Sequence, residues 1–70
     1  MWSVFIKIKI ELIENFMNKY GISHNKLEKL CNTSKRSLQN VFANSPNTTY
    51  LTLKRIATLM DMDISDIVED

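Results

Sequence analysis

A group of basic and amide side chains lies near the middle of the sequence. Lys35, Arg36, Gln39 and Asn40 would share one face of a helix that starts near Ser34. Arg can donate two hydrogen bonds to a guanine edge, and Gln or Asn can pair with adenine. The segment therefore carries side chains suited to contact with nucleic acid. On an ordinary solvated helix the same side chains would have no such role, and the sequence leaves that alternative open.

Other reactive side chains are sparse. His24 and Cys31 are seven residues apart and could share a helix face, but two ligands do not make a zinc site. Asp61, Asp63 and Asp66 lack the glycine and the final glutamate of a calcium-binding loop. The single glycine excludes a glycine-rich phosphate loop. We therefore expect no metal, no cofactor and no catalytic activity in so short a chain.

The first helix is predicted by apolar residues that recur every fourth position from Ile8 to Tyr20. Gly21 follows and can supply the left-handed residue that ends a helix. We interpret residues 1–7 as an extended N-terminal lead-in and residues 8–70 as a single domain. Within the lead-in, Trp2 and Phe5 either fold back on the core or form a surface for a partner.

Two short helices are predicted next. Ser23 is a good N-cap for a helix that runs to Cys31, and Ser34 caps a third helix over 34–43. Between them, Asn32 is the residue type that, after Gly, best adopts the positive φ of a tight turn. The turn-favouring residues of 44–47 end the third helix.

The last elements are a fourth helix that starts at Thr52 and ends at Asp61, and a short final turn capped by Ser65. The sequence thus predicts an all-α protein of five helices. The predicted core consists of apolar residues at helical spacing: Phe16, Leu27, Leu30, Leu38, Val41, Leu53, Ile56, Ala57 and Met60.

Length and composition agree with a small helical domain. The chain has 70 residues, 44% of them apolar, with one glycine and one proline. This composition excludes collagen-like and disordered chains. The lone Cys31 cannot form an internal disulfide, which suits a reducing cytoplasm. Apolar runs fall far short of the about 20 residues of a membrane span, so we expect a soluble, cytoplasmic protein without a signal peptide.

The net charge of +1 conceals an uneven distribution. All nine Lys and Arg residues precede residue 56. The same part of the chain contains three acids, so its net charge is +6. Residues 56–70 carry five acids and no base, which leaves −5. A basic body with an acidic end is compatible with a nucleic-acid surface on one side only.

The stretch from Ile22 to Val41 resembles the helix-turn-helix of the lambda-repressor-like (Cro/CI-type) family. The resemblance continues through Pro46 and the helical segment 52–57. The segment 60–67, Met-Asp-Met-Asp-Ile-Ser-Asp-Ile, is similar to the family's closing Leu-Gly-Val-Ser-x-Asp-Glu-Leu pattern. The whole resemblance covers roughly residues 8–68 and implies a five-helix DNA-binding domain.

Position by position, the resemblance implies two sets of residues. Its buried positions fall on Leu27, Thr33, Leu38 and Val41. The DNA-facing positions of the family fall on His24, Ser34, Lys35, Arg36, Gln39 and Asn40. Asn44 is added to them as a candidate phosphate contact. Arg36, Gln39 and Asn40 would contact the bases. Ser34, Asn44 and the backbone N–H groups at the N-terminus of the helix would hold phosphates.

The chain departs from the family pattern at several places. Glu28 stands where the family has a small Ala packed between the two helices, so its side chain must tilt outward or widen the crossing. Asn32 replaces a Gly and His24 replaces a Gln. The link from Pro46 to the fourth helix is about two residues longer than in the family.

Two functions are consistent with these features. The first is a sequence-specific transcriptional regulator, a small repressor or Cro-like protein of a bacterium or phage, that binds double-stranded DNA. The alternative is an antirepressor of the same fold that binds the DNA-binding domain of another helix-turn-helix repressor. Members of the family commonly pair to read two half-sites. The candidate surfaces for a homodimer are the N-terminal lead-in and the residues after Asp61.

Overall fold

The structure, a computed structural model, describes residues 7–69, which contain five helices and one two-stranded sheet. The helices are α1 (Ile10–Tyr20), α2 (His24–Cys31), α3 (Lys35–Phe42), α4 (Tyr50–Leu59) and α5 (Ile64–Ile67). The strands are β1 (Lys7–Ile8) and β2 (Val68–Glu69). The predicted helical class and the predicted number of helices are confirmed for this part of the chain. None of these helices is long and apolar enough to cross a membrane.

The first residues of α2 and α3 are held as predicted. The Ser23 hydroxyl accepts a hydrogen bond from the Lys26 N–H at 3.2 Å, and the Ser34 hydroxyl accepts one from the Ser37 N–H at 3.1 Å. Each bond satisfies one of the N–H groups that have no partner inside the helix. Ser23 and Ser34 therefore fix where these two helices begin.

The predicted starts of α4 and α5 are wrong. Thr49 caps α4 by accepting the Thr52 N–H at 3.3 Å, so Thr52 lies inside the helix and is buried. Asp63 caps α5, and its own N–H donates to the Asp66 carboxylate at 3.1 Å in a reciprocal capping box. Both segments contain two residues able to cap, and in each the earlier one does so. Thr52 is buried inside α4, and Asp66 completes the local capping box with Asp63.

A residue with positive φ follows each of the first four helices: Gly21, Asn32, Asn44 and Asp61. After α2, the Asn32 N–H donates to the Lys29 carbonyl and the Thr33 N–H donates to the Glu28 carbonyl. This pair of bonds is the Schellman motif, which satisfies carbonyls left open at a helix end. The predicted roles of Gly21 and Asn32 are confirmed.

The core lies between α1, α2, α3, α4 and α5. Seven of the predicted core residues are buried, and Phe16 packs half-buried against them. Leu30 is 46% exposed, so its assignment to the core is wrong. Cys31 is buried in its place, one helical turn from Leu27 on the inward face of α2. The core also contains Ile13, Met17 and Ile67.

The sheet joins the two ends of the described chain. β1 and β2 are antiparallel, with Lys7 opposite Glu69 and Ile8 opposite Val68. The Ile8 N–H also donates to the Asn44 side-chain oxygen at 3.0 Å. The pairing was not predicted, and the predicted start of the first helix at Ile8 is wrong, because Ile8 lies in β1 and α1 begins at Ile10. The expectation that Trp2 and Phe5 pack on the core or on a partner lies outside the described residues.

Candidate nucleic-acid interface

The turn between α2 and α3 consists of Asn32, Thr33 and Ser34. Asn32 reverses the chain with φ 51°, and Ser34 starts α3 from an extended conformation. Thr33, expected from the resemblance to be buried, is half-buried between them. Because the cap of one helix and the cap of the next are two residues apart, the turn has little freedom. It therefore holds the orientation of α3 relative to α2.

A side chain of α4 also holds this turn. The Arg55 guanidinium donates a hydrogen bond from Nη1 to the Asn32 backbone carbonyl at 2.6 Å. Arg55 as a whole is half-buried, while the bond itself lies at the protein surface. It ties residues 23 positions apart in sequence. Arg55 could not be singled out from the sequence, because no local pattern indicates a partner this distant.

The exposed face of α3 carries the predicted readout residues. Lys35, Arg36 and Gln39 are exposed and Asn40 is half-buried. Leu38 and Val41 are buried on the opposite side of the helix. The structure therefore brings these four polar residues together on one surface, where they can reach an external ligand.

His24 lies at the start of α2 and is exposed. Its imidazole stacks on the ring of Phe42, with centroids 4.6 Å apart and an interplanar angle of 20°. This contact joins the first turn of α2 to the last turn of α3. His24 consequently has a packing role in addition to the predicted DNA-facing role, and Phe42 contributes to the same surface.

Two of the predicted phosphate contacts already have partners within the protein. The Ser34 hydroxyl accepts the Ser37 N–H and donates to the Ser37 hydroxyl at 3.0 Å. The Asn44 side-chain oxygen accepts from Ile8, so the amide NH₂ of Asn44 is the group suited to an external acceptor. The first backbone N–H groups of α3 are the remaining donors at this end, since a helix leaves them without internal partners.

The charges of this region are mainly positive. Residues 23–44 contain Lys26, Lys29, Lys35 and Arg36 against one acid, Glu28. All four basic side chains are exposed, while Glu28 is half-buried. An excess of exposed positive charge on α2 and α3 suits a polyanion.

The Cys31 thiol is buried at the end of α2. Desolvation by burial raises the pKa of the Cys31 thiol, against a smaller lowering by the charge of Arg55. A thiol with a raised pKa stays protonated at neutral pH and is a poor nucleophile or metal ligand. Cys31 and His24 do not form a joint site, since Cys31 is buried and His24 is exposed. Residues 7–69 contain no group of three or more His, Cys, Asp or Glu able to hold a metal ion.

Loss of the Arg55 guanidinium should loosen the turn. We expect Arg55→Met, which keeps an apolar stem, to lower the free energy of unfolding by about 1 to 3 kcal/mol, as for other hydrogen bonds from charged groups. Urea denaturation measures this effect, with Lys29→Met on exposed α2 as the control. Amide exchange should quicken at Asn32 and Thr33 more than in α1. Equal urea midpoints for the two variants would contradict a role for Arg55 in the turn.

Comparison with known proteins found no protein-family model, no curated sequence and no solved structure that matches this chain.

Proposed function

We propose that this chain is a sequence-specific DNA-binding transcriptional regulator that places α3 in the major groove. The proposal follows the resemblance to the lambda-repressor-like helix-turn-helix family. The observation that carries it is the surface of α3, where Lys35, Arg36 and Gln39 are exposed together beside a fixed turn. These side chains offer donors and acceptors that match guanine and adenine edges.

The dimensions of α3 suit this task. An α-helix with its side chains is about 10–12 Å in diameter, and the major groove is about 12 Å wide, so the groove admits one helix such as α3. Its apolar side is buried against the rest of the protein, so only the polar side is available to the groove. Arg36 is the candidate for guanine, and Gln39 and Asn40 are the candidates for adenine.

Phosphate contacts would come from the ends of the two helices. The N-terminal amides of α3 and Lys26 in the first turn of α2 are the candidate donors, together with the amide NH₂ of Asn44. Such contacts fix the register of the protein on DNA without reading its sequence. The acids Asp61, Asp63 and Asp66 line a separate hollow after α4, to which α3 contributes no residue.

The experiment is a mobility shift of the pure chain against DNA from upstream of its own gene, at several salt concentrations. We expect binding at low salt that weakens as salt rises, because each phosphate contact releases bound counterions. Lys26→Ala should weaken binding to all sequences and flatten the salt dependence by about one unit. Glu28→Ala should tighten binding, because it removes a negatively charged carboxylate that would lie near the phosphate backbone of the DNA.

Lys19→Ala serves as the control, since Lys19 is an exposed base on α1 outside the proposed surface. It should leave the salt dependence unchanged. If the parent chain shifts no fragment at low salt, where attraction to phosphate is strongest, the proposal is overturned. Binding to a partner repressor would then be the function to test.

A further inference from the structure

An apolar groove lies between the end of α2 and the outer side of α4. Its volume is about 540 Å³, and no residue of α3 lines it. Leu30 and Leu51 are 46% and 55% exposed at this groove, Leu59 is half-buried there, and Cys31 is a buried part of its lining. Small-molecule sites are hollows of about 300 to 1,000 Å³ with a mainly apolar lining. The groove therefore has the volume and the lining of a ligand site.

The charged groups at the groove are all positive. Lys54 and Arg55 line it, and none of the described residues that line it is Asp or Glu. Arg55 donates from Nη1 to the Asn32 carbonyl, which holds the guanidinium in place. A guanidinium has five N–H donors, so others are available to an external acceptor, and a carboxylate matches their geometry. The polar group that fits this groove is therefore an anion.

The extent of the groove favours a small ligand over a protein partner. Eight residues line it, whereas a stable protein–protein contact takes about 20 to 30 residues on each side. Along α4 the groove extends from Leu51 to Leu59, which is about 12 Å of helix. One small molecule with an apolar body can cover this length, and a folded partner would need additional surface.

We propose that this groove binds a small amphipathic carboxylate, a molecule with one apolar chain and one carboxylate group. The apolar chain covers Leu30, Leu51 and Leu59, and the carboxylate faces the cations of Lys54 and Arg55. Such a ligand leaves the polar face of α3 uncovered. The proposal is therefore independent of whether the chain binds DNA.

Titration of the full chain with decanoate, followed by the amide signals in NMR spectra, tests the site. Decanoate is kept below the concentration at which it forms micelles. We expect saturable binding of one molecule per chain, with the largest shifts at the groove and only small shifts in α1. Decyltrimethylammonium has the same chain and a positive charge, so it should bind at least about tenfold more weakly. Octanoate should also bind about tenfold more weakly, because it buries two fewer CH₂ groups.

Variants at exposed positions of the groove test its two parts without disturbing the core. Leu51→Glu places a negative charge in the apolar part and should weaken decanoate binding at least about tenfold. Lys54→Met keeps the apolar stem and should weaken it about threefold. Lys54→Glu should narrow the preference for decanoate over decyltrimethylammonium. Lys19→Met, on exposed α1, is the matched control and should leave both affinities unchanged.

Two further measurements test other occupants of the groove. We expect the average mass in sedimentation equilibrium without ligand to be the same for Leu51→Glu as for the parent chain. A parent dimer that Leu51→Glu dissociates would assign the groove to a second copy. We also expect a helical peptide of leucine and glutamate to bind more weakly than decanoate. Tighter binding of the peptide at the groove would assign it to a segment of a partner protein. Either assignment would overturn the proposal.

The titrations can also contradict the proposal directly. Absence of saturable shifts at the groove would show that no such ligand binds there. Equal affinities for decanoate and decyltrimethylammonium would show that Lys54 and Arg55 do not select a carboxylate. Decanoate binding that Leu51→Glu leaves intact, in a variant whose urea midpoint matches that of the parent, would place the ligand elsewhere. A failure to bind DNA would affect none of these results.

Discussion

Replacing Leu38 by alanine should lower the free energy of unfolding by about 2 to 5 kcal/mol. The Leu38 side chain is 2% exposed and lies on the buried face of α3, which packs against α2 and α4. Alanine would lose the transfer free energy of the removed carbons and leave a cavity that surrounding helices fill only in part. For a domain of this size the loss is a large share of total stability. The urea midpoint should fall accordingly.

Leu30→Ala is the matched control, because it removes the same atoms from a side chain that is 46% exposed. It should cost less than about 1 kcal/mol, since solvent already contacts much of that side chain. Both variants are to be measured at the same protein concentration as the parent. Equal losses for the two variants would contradict the arrangement of the core.

Replacing Arg36 by alanine should weaken binding to the preferred DNA sequence by about 1 to 3 kcal/mol and relax the preference at one base pair. Arg36 is exposed on α3 and can make two hydrogen bonds to guanine. Its loss should therefore matter most at a site that carries this guanine. Selection from a random DNA pool identifies the preferred site, and titration of the parent and variant against single-base changes measures the effect.

Lys26→Ala provides the comparison, since a phosphate contact weakens every sequence alike. Arg36→Ala should leave binding to unrelated DNA much less affected than binding to the selected site. If Arg36→Ala weakens selected and unrelated sequences equally, Arg36 touches only the backbone. The assignment of base readout to this residue would then be wrong.

The helix boundaries show where local signals were sufficient. Ser23, Ser34, Gly21 and Asn32 act within three or four residues of themselves, through hydrogen bonds and backbone preferences that their type determines. These boundaries could therefore be predicted from the sequence. At the start of α4 the same reasoning failed, because Thr49 and Thr52 both have a capping side chain. The burial of Thr52, a tertiary property, decided between them.

In the candidate site too, some features follow from local sequence and others depend on tertiary packing. The shared face of Lys35, Arg36, Gln39 and Asn40 follows from the helical period alone. The support behind that face comes from pairs that lie far apart in sequence. The Arg55 bond to Asn32 spans 23 residues, and the stacking of His24 on Phe42 joins the ends of two helices. Which side chains meet at such distances depends on how the helices pack.

The sequence by itself determined the helical class, the number of helices and the polar face of α3, because each depends on short-range periodicity and on capping residues. The tertiary structure decided that Cys31 and not Leu30 enters the core, since only the position of α4 distinguishes two adjacent apolar residues. It also decided that Lys7 and Ile8 pair with Val68 and Glu69. A two-residue strand has too few side chains to form a pattern, and its partner lies at the other end of the chain.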